Sequence, residues 1–169
     1  MREAIGGTWI FGIVVFFIVL FSGYMAISVN YSKAFRVKNE IINIIEKNLG
    51  YMEASDPRNP NGGGPSPVQQ EILDYMEHIG YFAFGNCESD AVRGSEIMLS
   101  GGRTRARYCI RHHCGDNMES TTRPKTFYTV TVFFRVDLPA LGNVFTFPIY
   151  GQTRTISVTN SECLNRVLN

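Results

Sequence analysis

From Ala4 to Ser32 the chain contains no Asp, Glu, Lys, Arg or His, and this gap limits what the rest can become. Within it, Thr8 to Val29 reads TWIFGIVVFFIVLFSGYMAISV. As a helix these 22 residues rise about 33 Å, enough to cross a hydrocarbon core of roughly 30 Å once. Trp9 stands at one margin and Tyr24 and Tyr31 at the other, where amphipathic rings favour the headgroup zone. The reading is a single membrane-spanning helix. A cleaved signal peptide is the competing account, since Ala26 and Ser28 suit the small-residue positions before a cut, but the apolar stretch exceeds the usual length of such a core. The charges crowd into the residues after Ser32, so a membrane segment is joined to a soluble part of roughly 120 residues, enough for one small core and not for two domains. That size excludes a large multidomain enzyme. A formal net charge of +1 over 169 residues excludes an electrostatic nucleic-acid binder.

Beyond the span, Asn30 to Asn48 contains no Gly or Pro. Val37, Ile41, Ile44, Ile45 and Leu49 fall on one helical face, with Lys33, Lys38, Glu40, Glu46 and Lys47 mostly elsewhere. The span is therefore predicted to continue as an amphipathic rod to Leu49, roughly 60 Å from Thr8, with Gly50 as its stop. One face of the spanning half carries the small or slim residues Thr8, Gly12, Val15, Val19, Gly23 and Ala26, while Phe11, Phe17 and Phe21 lie mainly to other sides. In lipid such a face allows close helix approach, which makes these residues a candidate assembly interface. The plain alternative is that glycines are common in single spans and carry no such meaning.

The segment SDPRNPNGGGPSP is a loop by its prolines and triple glycine. Ser66 is then a predicted N-cap, Pro67 the first helical position and Gln69 the capping-box residue. Val68, Ile72, Tyr75, Met76 and Ile79 give this helix its apolar face, and Gly80 ends it. From Tyr81 the pattern changes to period two. Tyr81 to Phe84 and Arg103 to Arg111 are predicted strands, and Thr126 to Leu138 and Val144 to Val158 are the strongest, joined by PALGN into a long antiparallel ribbon. Pro148 and Gly151 predict a bulge or bend in the last of them.

Four cysteines, Cys87, Cys109, Cys114 and Cys163, are an even number and favour disulfides in an extracytoplasmic domain, with three pairings open. Cys109, His112, His113 and Cys114 would alternatively offer zinc ligands or thiol chemistry, though without a C-x-x-C knuckle or an H-x-x-x-H pair. Arg103, Arg105, Arg107 and Arg111 fall on one strand face, either as a solvated row or as a contact for an anionic partner. No nucleophile elbow, P-loop or H-E-x-x-H is present. The expectation is a protein that is not an enzyme, with no catalytic residue, metal, cofactor or small-molecule substrate. Its fold class is α+β. A long transmembrane and amphipathic helix over 1–50 is followed by a Pro/Gly-rich loop over 51–66. An extracytoplasmic domain over 67–169 then holds a short helix and an antiparallel sheet.

This order resembles the type IV pilin-like proteins, in particular the TadE-like minor pilins and pseudopilins, and the terminal stretch FTFPIYGQTRTISV looks like the closing strand of TadE-like proteins. In that family an acid near the mature N-terminus and a long first helix direct packing into a filament core. The resemblance thus implies an assembly role for Glu3 and the apolar helix. The family's processing pattern, a cut after Gly with Glu five residues on, meets Gly12 rather than an acid when counted from Gly7. The implied function is a structural subunit of a pilus or related secretion apparatus, partnered by the membrane and by itself or related subunits. The alternative is a bitopic accessory subunit that binds an envelope partner through its sheet. On sidedness two signals oppose each other: Lys33, Arg36 and Lys38 after the span, against Arg2 alone before it, favour a cytoplasmic domain, and the cysteines favour an external one.

Overall fold

The computed structural model describes residues 2–54, 59–99, 102–114, 125–138 and 142–157. A single helix, α1, runs over Arg2–Lys47, and its 46 residues rise about 69 Å. Its end satisfies its own carbonyls: Asn48 Nδ2 donates to the Ile44 carbonyl at 2.9 Å and the Gly50 amide to that of Ile45 at 2.9 Å. Leu49 adopts the left-handed conformation between them, with φ of 55°, and is exposed. It therefore leaves the apolar face that its spacing predicted. Ala34, Val37, Ile41, Ile44 and Ile45 do form that face, and all are buried.

Helix α2, Pro67–His78, starts as its sequence predicts. The Gln69 amide donates to Ser66 Oγ at 3.2 Å, and the Ser66 amide donates to Gln69 Oε1 at 3.0 Å. Val68, Ile72 and Met76 are buried. Glu71 receives Lys47 Nζ at 3.2 Å and Asn48 Nδ2 at 3.1 Å, tying α2 to the end of α1. The loop before α2 is organised by the buried Asn59, whose Nδ2 reaches the Ala54 and Gly64 carbonyls at 3.1 and 2.7 Å.

Strands β1 (Val92–Leu99), β2 (Arg103–Cys114), β3 (Lys125–Leu138) and β4 (Gly142–Gln152) form an antiparallel sheet in that spatial order, and β5 (Ile156–Ser157) pairs with the start of β3. The α+β class holds. Two strand expectations change. Tyr81 to Phe84 is not a strand, and only Gly85 bridges to Ala106. Val92 to Leu99, which the period-two reading passed over, is one. The last strand is interrupted, but not at Pro148 or Gly151, which pair with Phe133 and Val130. Pro148 is tolerated because β4 is an edge strand. The interruption follows Gln152, where Thr153 exchanges hydrogen bonds with Tyr128 through its amide and its Oγ1, both at 2.9 Å, and the Arg154 amide donates to Glu46 Oε1 at 2.7 Å. The turn over 139–141, Val158 and Cys163 lie outside the described residues.

The register assigns the faces. Tyr108, Ile110, Tyr128, Val130, Val132, Phe134, Phe147, Ile149 and Gly151 share the side that carries α1. Gly151 is required there: a Cβ would lie 2.7 Å from Lys38 Cδ and 2.8 Å from Ile42 Cδ1. Arg105, Arg107, Cys109, Arg111, His113, Thr129, Thr131, Phe133, Arg135, Pro148 and Tyr150 take the outer side.

Candidate assembly surface and outer-face groove

Among the described residues, the stretch of α1 over 7–22 is exposed throughout. Its apolar window is wholly unburied and meets the length and apolarity of a single membrane crossing. Thr8, Gly12, Val15 and Val19 are exposed. Gly12 has no heavy atom within 4 Å of where a Cβ would stand, and it floors a recess of about 370 Å³ walled by Thr8, Trp9, Ile13 and Phe16. Gly23 and Ala26 differ. They are half-buried, as is Asn30, and these three continue the line of Ala34 and Val37 at helical spacing. Glu3 lies in α1, with its side chain outside the described set.

On the outer face the segment 82–91 crosses the sheet and is pinned by a disulfide between Cys87 and Cys109, with Cα atoms 5.6 Å apart. Cys114 is also disulfide-bonded. Arg107 stands between two rings of this segment, its guanidinium 5.2 Å from the centroid of Phe82 and 5.4 Å from that of Phe84. Its Nε and Nη1 are buried without a hydrogen-bond partner among the described residues, so the rings supply the compensation. Arg111 reaches back to the same segment, at 2.7 Å from Glu88 and 2.5 Å from Asp90. The row of four arginines is therefore not uniform. Arg107 and Arg111 hold the crossing segment, whereas Arg103 and Arg105 remain exposed. Between segment and sheet lies a groove of about 980 Å³, lined by Phe82, Phe84, Arg105, Arg111, His113, Thr131, Arg135 and Tyr150 among others.

The hydrogen bond from Arg111 holds the Asp90 carboxyl below the usual carboxylate range. A carboxyl depressed in the folded state stabilises above its unfolded value and loses that contribution as the pH falls through the folded one. Acidification below the ordinary carboxylate range is thus expected to speed amide exchange at Glu88 to Ala91 before the sheet responds. Hydrogen exchange read by mass spectrometry checks this, and uniform exchange across the chain would contradict it.

The group Cys109, His112, His113 and Cys114 does not converge. Successive strand residues point to opposite faces, so Cys109 and His113 share the outer side while His112 and Cys114 take the other. His112 stacks on Tyr128, and His113 stacks on Phe127 and bonds Thr129 Oγ1 at 3.0 Å. Both cysteines are oxidised. Among the described residues no three His, Cys, Asp or Glu side chains form a metal-holding group. Behind the sheet Tyr108 is buried and hydrogen-bonds Tyr51, which also receives Gln69 Nε2 at 2.8 Å; burial pushes both phenols up. Sequence reasoning missed the clamp of Phe82 and Phe84 on Arg107 and the acids that hold Arg111. The one available signal was that alternating aromatics and alternating arginines occur in neighbouring segments. Comparison with protein-family models, with curated proteins and with solved structures finds no match for this chain.

Proposed function

We propose that this chain is a structural, pilin-like subunit, of the TadE-like kind its architecture resembles, which assembles in an envelope-spanning filament or secretion apparatus by packing its N-terminal helix against copies of itself or related subunits. The observation that carries the reading is the division of labour within α1. Its second half is built into the core of the sheet domain, while the stretch over 7–22 is apolar and exposed, with a recess at Gly12. Association of apolar helices in lipid depends on close packing, which a recess floored by glycine permits. The Cys87–Cys109 disulfide supports a domain on the oxidising side of the membrane.

Gly12→Leu is the direct test, because the substitution meets no atom of the subunit itself. It is expected to leave the subunit folded and membrane-inserted while abolishing helix–helix crosslinking and polymer in native membranes. Unchanged crosslinking and polymer would refute the packing role. The groove on the outer face favours a second reading, a bitopic accessory subunit that binds an envelope partner through its sheet. A stable heteromeric complex in detergent, with no polymer by electron microscopy, would support that reading instead.

A further inference from the structure

The contacts between α1 and the sheet give the direction in which each strand runs relative to the span. Phe134 of β3 lies against Tyr31, their ring centroids 5.6 Å apart; Gly151, the partner of Val130, lies against Lys38 and Ile42; Gly50 lies against Tyr128. As β3 advances from Tyr128 to Phe134 the helix partner therefore recedes from Gly50 to Tyr31, so β3 runs antiparallel to α1, toward the membrane. From Phe134 to Leu138 it advances about 13 Å further, which equals about nine residues of helix. The end of the β3–β4 ribbon thus comes level with the stretch from Ser22 to Ala26, inside the apolar span. An independent observation agrees: Gly23, Ala26 and Asn30 are half-buried, while Phe21, Tyr24, Met25 and Ile27 around them are exposed.

Two aromatic residues of β4 travel with the ribbon. Phe147 pairs with Phe134 and stacks on it with centroids 5.3 Å apart, and Phe145 follows at 6.0 Å. Both remain exposed, at 45% and 59%. They stand beside the helix between Tyr31 and the level of Tyr24, the margin at which rings favour the headgroup boundary. Exposed Arg36 follows little more than a turn beyond Tyr31, placed for lipid phosphates, while Lys33 Nζ donates to the Gly80 carbonyl at 3.1 Å. The geometry points to the Phe145 and Phe147 edge of β4 as a second membrane contact, a lipid-facing surface that lies in the headgroup region and holds the sheet domain down against the bilayer. The backbone sets the depth. β4 is an edge strand with unpaired polar groups, which hydrocarbon does not accept and the headgroup region does, so the hydrocarbon boundary falls near Gly23, and the uncharged run from Ala4 to Gly23, about 30 Å as a helix, crosses the core.

This inference rests on the membrane-span reading of α1, and one experiment separates the two. The full chain is reconstituted in vesicles of brominated phosphatidylcholine, and tryptophan emission is compared with that in unbrominated vesicles. Native Trp9, the single tryptophan, reports the span. In a Trp9→Phe background, Phe145→Trp and Phe147→Trp report the ribbon, and Leu49→Trp, at the far end of the domain, reports water. Loss of most emission for Trp9 and for both ribbon reporters, with Leu49→Trp unchanged, is the expected result. Quenching of Trp9 with no loss at either ribbon position would overturn the lipid contact and leave the span standing. Ribbon reporters that escape quenching and instead crosslink between subunits would assign the surface to a second copy. An unquenched Trp9 would overturn the span and the inference together.

Discussion

Ile41→Ala is expected to destabilise the sheet domain by about 2 to 5 kcal/mol, a large share of the roughly 5 to 15 kcal/mol that holds an ordinary domain. Ile41 is fully buried in the cluster that joins Val37, Ile44 and Ile45 of the helix to Val130 and Val132 of the sheet and Ile72 of α2. Truncation there removes the transfer energy of three carbons and leaves a cavity that a rigid helix and a paired sheet cannot close. Ile18→Ala makes the same chemical change where the side chain is 59% exposed, and it should leave the domain's unfolding unchanged. Urea titration of the detergent-solubilised chain, followed by amide exchange in β3, measures both. Equal, small effects would mean that the second half of α1 is only a tether. A marked loss for Ile41→Ala alone would establish that one rod serves both as anchor and as the inner layer of the domain.

What could be read in the sequence was whatever local chemistry determines by itself. Ser66, Pro67 and Gln69 satisfy each other within four residues, so the start of α2 was legible to the residue. The same is true of the alternating Thr, Val, Phe and Tyr of β3, a strand within one residue of the predicted start that pairs with β4 in the predicted ribbon. The failures lie where a partner distant in the chain decides. Strand β1 escaped notice because VRGSEIML scarcely alternates and contains Gly94, and that glycine is there for Tyr108 on β2: a Cβ would stand 2.0 Å from its ring. Tyr81 to Phe84 looked like a strand because three of its four residues are aromatic, yet Gly85 alone joins the ladder, with the ring of Phe133 over it, and the two phenylalanines serve Arg107 instead. Alternation reports an extended chain and two distinct sides. It does not report whether a neighbour is bonded to the backbone. For the candidate site, the apolar span and its glycines were legible as composition, but the difference between Gly12, which is open, and Gly23, which continues the domain's packing line, appears only once the ribbon is seen to run alongside the helix.

Replacing Cys87 and Cys109 together by serine is expected to cost about 3 kcal/mol, chiefly by releasing the unfolded chain from a closed loop of 22 residues. The locus of the effect matters as much as its size. Segment 82–91 is held to the outer face by that bond, by the pair of rings on Arg107 and by the two acids on Arg111, and both of the latter are exposed or weak enough that they depend on the segment already being in place. Without the bond the segment should detach first, the groove of about 980 Å³ should lose one wall, and amides from Phe84 to Ala91 should exchange well before those of β3. A buried Arg107 guanidinium with two unpaired nitrogens would then be uncovered to water, which lowers the penalty of opening and makes the loss local rather than global. The helix–sheet core is on the opposite face and should survive. Mass spectrometry of the unreduced protein from its native envelope adds the second half of the test: it should find Cys87 linked to Cys109 and Cys114 also oxidised, with no alkylatable thiol among the three. Four free thiols there would remove the crosslink's contribution in the cell and, with it, the support that the cysteines lend to a domain outside the cytoplasm.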